Sequence, residues 1–131
     1  MPTDHAEQFD LKTTYIHLTD GPAAHLIKID ETFWPTIHER TELGDGRLVT
    51  KLSQSADWPH WEMHPDGDEV LYLISGKMEL ILDENGRERR IPFDAGSAFV
   101  VPQGVWHRAL VHEPGDLIGI TRGRGTQTRP I

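Results

Sequence analysis

Glycine and proline cut this chain into pieces too short for ordinary helices. There are 12 glycines and 9 prolines among 131 residues, and they fall in turn-forming clusters such as Asp20-Gly-Pro, Ser75-Gly76, Asn85-Gly86, Ala95-Gly96 and Pro102-Gln-Gly104. Between the clusters lie short runs of β-branched, aliphatic and aromatic residues that alternate with polar ones, the period of a strand with one buried face. The spacing predicts strands over Thr14–Leu18, Leu26–Ile29, Arg47–Leu52, the stretch around Trp58–His64, Glu69–Ile74, Lys77–Leu82, Arg87–Ile91, Ser97–Val101 and Val105–Val111, with Leu117–Thr121 as the final one. Glu69–Ile74 and Lys77–Leu82 read as a hairpin closed at Gly76. Arg87–Ile91, dense in charge, suits a sheet edge, where charge discourages pairing with other chains. Many short strands with turns between them imply an all-β, antiparallel sandwich or barrel.

Two segments stand apart. Asp30–Glu39 starts with a cap-like acid, but Pro35 fits only the first turn of a helix, so the segment predicts at most a short helix acting as a lid or end plug. The tail over 122–131 carries Arg122, Arg124 and Arg129 with no acidic residue. It reads as docking on the acidic body, docking on a neighbouring subunit, or remaining free. Residues 1–11 are polar and predicted to be mobile. No internal repeat or linker is visible, and the length suits one domain over 1–131.

The formal net charge of −8 argues against nucleic acid or an anionic membrane as partner, since phosphate attraction needs clustered positive charge. Small molecules are the expected partners. With no cysteine, thiolate metal sites and a cysteine nucleophile are excluded. No basic, apolar leader is visible at the start and no apolar run reaches membrane-spanning length, so a cytoplasmic location is expected.

The chemistry concentrates in Trp58-Pro-His-Trp-Glu62-Met-His64-Pro-Asp-Gly-Asp-Glu69. On a strand Glu62 and His64 project from one face, and the Pro-Asp-Gly-Asp turn folds Glu69 back towards them. Such a cluster is able to hold a metal ion. Taken singly, each of these residues is better explained as a solvated or hydrogen-bonded structural group. Trp58, His60, Met78, Phe99 and Val111 are candidates to line a pocket, although period-two apolar residues ordinarily form plain core. Trp106, next to His107, is predicted to face away from it, and core is the expected place for Trp34 and Trp61. The acidic run at 66–69 is too short for a calcium loop.

The stretch from Glu62 to His107 resembles the cupin superfamily of small jelly-roll barrels. Its first motif, G-x5-H-x-H-x3,4-E-x6-G, is met by Ala56, Glu62, His64, Glu69 and Gly76, and its second, G-x5-P-x-G-x2-H-x3-N, by Gly96, Pro102, Gly104, His107 and Val111. The resemblance implies a cupin-type antiparallel jelly-roll β-barrel and one divalent metal ion, iron, manganese, zinc or nickel. His64, Glu69 and His107 fall on the family's ligand positions. Glu62 stands where a histidine is expected, Ala56 where a glycine is, and Val111 where an asparagine is.

Three roles are open at the first position. As a fourth ligand, Glu62 gives a site of two histidines and two carboxylates that neutralises a divalent ion, acidifies bound water less and attracts anions less than a three-histidine site does. As an unligated neighbour of a two-histidine, one-carboxylate set, it acts as a general base whose pKa burial would raise. Or His60, on the same face by parity, takes the ligand position. The resemblance implies a metal-dependent enzyme acting on a small organic molecule, with dioxygenase, isomerase or epimerase, decarboxylase and lyase chemistry all hosted by such barrels. The competing expectation is a small-ligand or sugar-binding module without turnover. A homodimer is expected, with tryptophans and arginines at both ends as contacts.

Overall fold

The computed structural model describes residues 7–131. Eleven strands follow in order: β1 (Thr14–Leu18), β2 (Ala24–Lys28), β3 (Arg47–Gln54), β4 (His60–Met63), β5 (Glu69–Leu73), β6 (Lys77–Glu84), β7 (Arg87–Asp94), β8 (Ala98–Val101), β9 (Trp106–Glu113), β10 (Gly115–Thr121) and β11 (Gln127–Pro130). They form two antiparallel sheets. The first has the order β2-β1-β3-β10-β5-β8 and the second β11-β4-β9-β6-β7. Between them Leu71, Leu73, Val101 and Leu117 from the first sheet meet Met78, Leu80, Leu82, Phe93 and Ala109 from the second. Period-two alternation produces this core, since every second residue of each strand points inward. Met78 lies within it, and Phe99 and Val111 pack on its margin.

Three expectations need correction. Glu69–Leu73 and Lys77–Glu84 do not form a hairpin: β5 pairs with β10 and β8, whereas β6 pairs with β7 and β9. Ser75 and Gly76 instead carry the chain from one sheet to the other. Alternation cannot tell these outcomes apart, because both strands bury one face either way. Close backbone approach sets the crossing. Gly76 has φ +87°, and a Cβ there would lie 2.6 Å from the Glu113 carbonyl oxygen, while one on Gly115 would lie 1.9 Å from that of Ser75. The true hairpin is β6–β7, whose Asn85-Gly86 corner has positive φ at both residues, 57° and 87°.

Asp30–Glu39 contains no α-helix. Turns lead into a single 3-10 turn at Ile37–Glu39, followed by another at Thr41–Leu43. The segment packs on β1 through its aromatic residues. Phe33 is buried edge-on to Tyr15, their centroids 5.4 Å apart, and the Trp34 indole donates to the Tyr15 hydroxyl at 3.2 Å. Trp34 itself is partly exposed rather than core.

Leu117–Thr121 is not the last strand. The tail returns as β11 beside β4, with Gln127 opposite Met63 and Pro130 opposite His60. Of its three predicted fates, docking on the body is the one observed. Arg122 bonds Asp20 and Asp66, and Arg129 bonds Asp83 while lying over the rings of Trp61 and Trp106. Arg87–Asp94 is an edge strand, as its charge predicted. Of the N-terminal segment expected to be mobile, residues 1–6 lie outside the described residues. Among the described residues no helix is long and apolar enough to cross a membrane.

Candidate metal centre

Strand β4 presents Glu62, the residue just past its end is His64, the first residue of β5 is Glu69, and β9 presents His107 directly opposite Glu62 in register. The loops that hold these strands in place bond to each other. The Gln103 backbone N–H donates to the Asp68 carboxylate at 2.8 Å, the Gly104 N–H to the His64 carbonyl at 3.0 Å, and the Gln103 side chain to the Pro65 carbonyl at 2.7 Å. The Pro-Asp-Gly-Asp turn and the Pro102-Gln-Gly104 turn therefore lock into one corner. That is how residues far apart in the chain reach one point.

Glu62, His64 and His107 each offer a donor atom, and these atoms lie within 4.8 Å of one another. Glu69 is not part of that trio but touches both histidines. Its carboxylate oxygens stand 3.3 Å from His64 Nε2 and 3.2 Å from His107 Nε2. His64, Glu69 and His107 are all buried, His107 completely. Glu62 has 31% of its side chain exposed and His60 has 42%. His60 lies outside the trio, with Nε2 3.6 Å from Glu62. Glu62 is thus partly exposed where the general-base reading expected burial.

The imidazoles are held from behind. His107 Nδ1 lies 3.0 Å from the Val105 carbonyl oxygen, which can only accept, so that nitrogen carries the hydrogen. His64 Nδ1 lies 2.8 Å from the Thr126 hydroxyl, which is also 2.8 Å from the Gly123 carbonyl; with the hydroxyl hydrogen on that carbonyl, Nδ1 again donates. In the neutral rings each Nε2 then shows a lone pair to the interior. Thr121 supplies a hydroxyl donor to Glu69 Oε2.

Although the contacts above fall at hydrogen-bond distance, His64 Nε2, His107 Nε2 and Glu69 Oε1 have no hydrogen-bond partner. Three electron-rich atoms buried together and facing one another repel unless a proton or a metal cation lies among them. In the absence of a cation, protons on the imidazoles relieve the same repulsion. Burial pushes the Glu69 carboxyl up, but the two imidazoles outweigh it and hold the group at about 2. Burial pushes His107 down, and the Glu69 carboxylate more than reverses this, so its pKa is raised. This donor set, nitrogen and oxygen without sulfur, fits a borderline or hard divalent metal.

Thr121 and Thr126 were not found by reading the sequence. Both fall in a Thr-Arg-Gly-Arg-Gly-Thr run that carries only a tail's composition, and Thr126 is 62 residues from the histidine it holds. Trp58 lies edge-on to His107, centroids 5.9 Å apart, with its indole N–H on Gln54 at 2.8 Å. Trp106 faces the other way, as predicted, and Trp61 is buried beneath Arg108 and Arg129. A surface hollow lined by the β6–β7 turn and Gly104–Trp106 includes none of the donor residues.

Comparison with known proteins places the chain. A family model described as "Cupin domain" matches residues 48–121. The uncharacterized protein YjlB of Bacillus subtilis (strain 168) is 34% identical over 74 residues, 52% of this chain and 44% of that protein. The chain thus spans less than half the length of that relative. Among solved structures, a cupin-2 domain protein of Shewanella frigidimarina NCIMB 400 superposes with a TM-score of 0.50 at 24% identity, over 56% of this chain and 68% of that one. An oxalate decarboxylase of Bacillus subtilis gives 0.55 at 18% identity over 71% and 26%. Hydroxypropylphosphonic acid epoxidase of S. wedmorenis gives 0.51 at 15% over 57% and 42%. At these identities the solved structures speak to the fold alone, a two-sheet antiparallel jelly roll. With more than half of its residues matched by the family model, the chain belongs to the cupin family.

Proposed function

We propose that this cupin binds one divalent metal ion through His64, His107, Glu69 and Glu62 and acts as a metal-dependent enzyme on a small organic molecule. The observation that carries the reading is the buried trio of unpartnered atoms, His64 Nε2, His107 Nε2 and Glu69 Oε1. A metal in that place supplies Lewis acidity or a position for oxygen. The chain's own residues do the rest. Val105 and Thr126 keep the two Nε2 lone pairs forward, Thr121 holds one oxygen of Glu69, and the core around Leu82 and Ala109 keeps water from the histidines. Glu62, alone of the four in being partly exposed, stands on the solvent side, where an incoming molecule meets it first.

Metal analysis of protein purified without added metal tests the proposal, together with thermal melting with and without iron(II), manganese(II), nickel(II) or zinc(II). The expected result is about one ion per chain and a raised Tm with at least one metal. No bound metal and no shift with any of the four sinks it. Oxygen uptake with candidate substrates then separates dioxygenase chemistry from isomerase and lyase chemistry.

We also propose that the protein pairs as a homodimer through the outer face of the six-stranded sheet. One cross-strand row on that face reads Leu26, Ile16, Val49, Ile120, Val70 and Val100, apolar on every strand. The second sheet is covered instead by its own side chains. There Arg108 lies over Trp61, Arg129 lies over Trp61 and Trp106, and fully buried Ile81 is flanked by Arg90 and Arg108. The arginines and tryptophans expected at the contact are therefore largely spent within the chain.

A further inference from the structure

The two histidines of the centre are secured by different means. His107 is fixed by the carbonyl of Val105, two residues earlier in its own chain segment. His64 is fixed by the side chain of Thr126, which belongs to the C-terminal segment and lies beyond residues 48–121, the part matched by the family model. Resting on the metal reading given above, we propose that Thr126 is a positioning residue of the centre. It holds His64 in the tautomer that carries its hydrogen on Nδ1 and offers Nε2 to the metal.

Hydrogen counting carries the argument. The threonine hydroxyl has one hydrogen, and the Gly123 carbonyl 2.8 Å away, which can only accept, is the partner we assign to it. The hydroxyl then offers only lone pairs to His64 Nδ1 at 2.8 Å, so a hydrogen on Nδ1 is favoured and one on Nε2 is not. Without this partner the ring is free to place its hydrogen on Nε2, which would donate to the Glu69 carboxylate 3.3 Å away. That alternative satisfies Glu69 at the cost of the metal-binding lone pair. Thr126 thus opposes a competing arrangement that the buried carboxylate favours.

The hydroxyl is itself well placed to do this. The backbone N–H of Thr126 donates to the same Gly123 carbonyl at 3.1 Å, which closes the turn. On one side Arg122 anchors that turn to Asp66 and Asp20, at 3.1 and 2.8 Å. On the other, Gln127 and Thr128 pair with Met63 and Glu62. The turn is therefore pinned to the strand whose histidine it serves.

Ring nitrogen chemical shifts of His64 in the metal-free protein, at a pH where the imidazole is neutral, test this without any metal or activity. Wild type and Thr126→Ser are expected to show the hydrogen on Nδ1, and Thr126→Val a shift of population towards Nε2. Zinc(II) affinity, read by competition with a chelator, is expected to fall about 10- to 100-fold in Thr126→Val and to recover in Thr126→Ser. A wild-type ring with its hydrogen on Nε2 overturns the proposal. So does a Thr126→Val protein with unchanged tautomer and zinc affinity. Should wild type bind no zinc or other metal, the metal reading falls by itself, and the ring shifts still decide what Thr126 does. Should Thr126→Val not fold, the wild-type and serine shifts carry the decision.

Discussion

Glu62 differs from its three neighbours in being partly open to solvent and in adding a second carboxylate to the donor set. Two carboxylates and two neutral imidazoles bring a divalent ion to zero net charge, which weakens the pull on anions and on the proton of a bound water. Replacing Glu62 with His restores one positive charge. Glu62→His is expected to shift metal preference and to tighten binding of a small anion such as azide to the loaded centre, read by titration. Glu62→Gln removes the charge at nearly constant shape and is expected to weaken metal binding by at least about tenfold. Unchanged metal affinity in Glu62→Gln would exclude it as a ligand. Parity made Glu62 and His64 legible in the sequence, because residues two apart on a strand share a face. The tautomer-setting partner of His64 was not legible, since no local pattern links positions so distant.

At the scale of elements, period two and turn residues were enough to place the strands from β1 to β10, with ends shifted by a few residues. They were not enough for the β5–β6 connection, where backbone contact with the β9–β10 link decides between hairpin and crossing. Nor did they reveal β11. Gln127-Thr-Arg-Pro130 has no apolar alternation, and its strand form comes from partners: the open edge of β4, the rings under Arg129 and the carboxylate of Asp83. Those partners make it sensitive to acid. Bonding to Arg129 holds the Asp83 carboxyl below its ordinary value, and Arg122 does the same for Asp20. A carboxyl lowered on folding adds stability above its unfolded pKa, and that stability is lost as pH falls through the folded value. Asp20 is exposed and Asp83 lies at the surface only partly covered, so the effect is small and screened by salt. Amide protection in β11 is expected to drop below about pH 4 before that of β6 and β7 does, and Arg129→Ala should reproduce the drop at neutral pH. Hydrogen exchange followed strand by strand measures this. Equal loss across all three strands would show that the ion pairs do not anchor the tail.

For the whole molecule, the two outer faces have opposite characters. Arginine stems and indole rings cover one, while the other shows an apolar row in which Val100 is 52% exposed and neighbouring Tyr72 39%. A stable pairing across that face would bury on the order of 800 Å² per chain. Val100→Glu places a charge at the exposed β8 end of that row and is expected to turn a dimer into a monomer in analytical ultracentrifugation, with zinc affinity intact. A wild-type protein that sediments as a monomer at micromolar concentration removes this pairing. The path of the chain through Ser75 and Gly76 has a further consequence. By sending β5 to one sheet and β6 to the other, it leaves Glu69 on the wall opposite both histidines. A cation held by all three would rivet the two walls together, so occupancy of the centre and resistance of the barrel to opening would be one equilibrium, legible in the folding of the protein as much as in any assay of its chemistry.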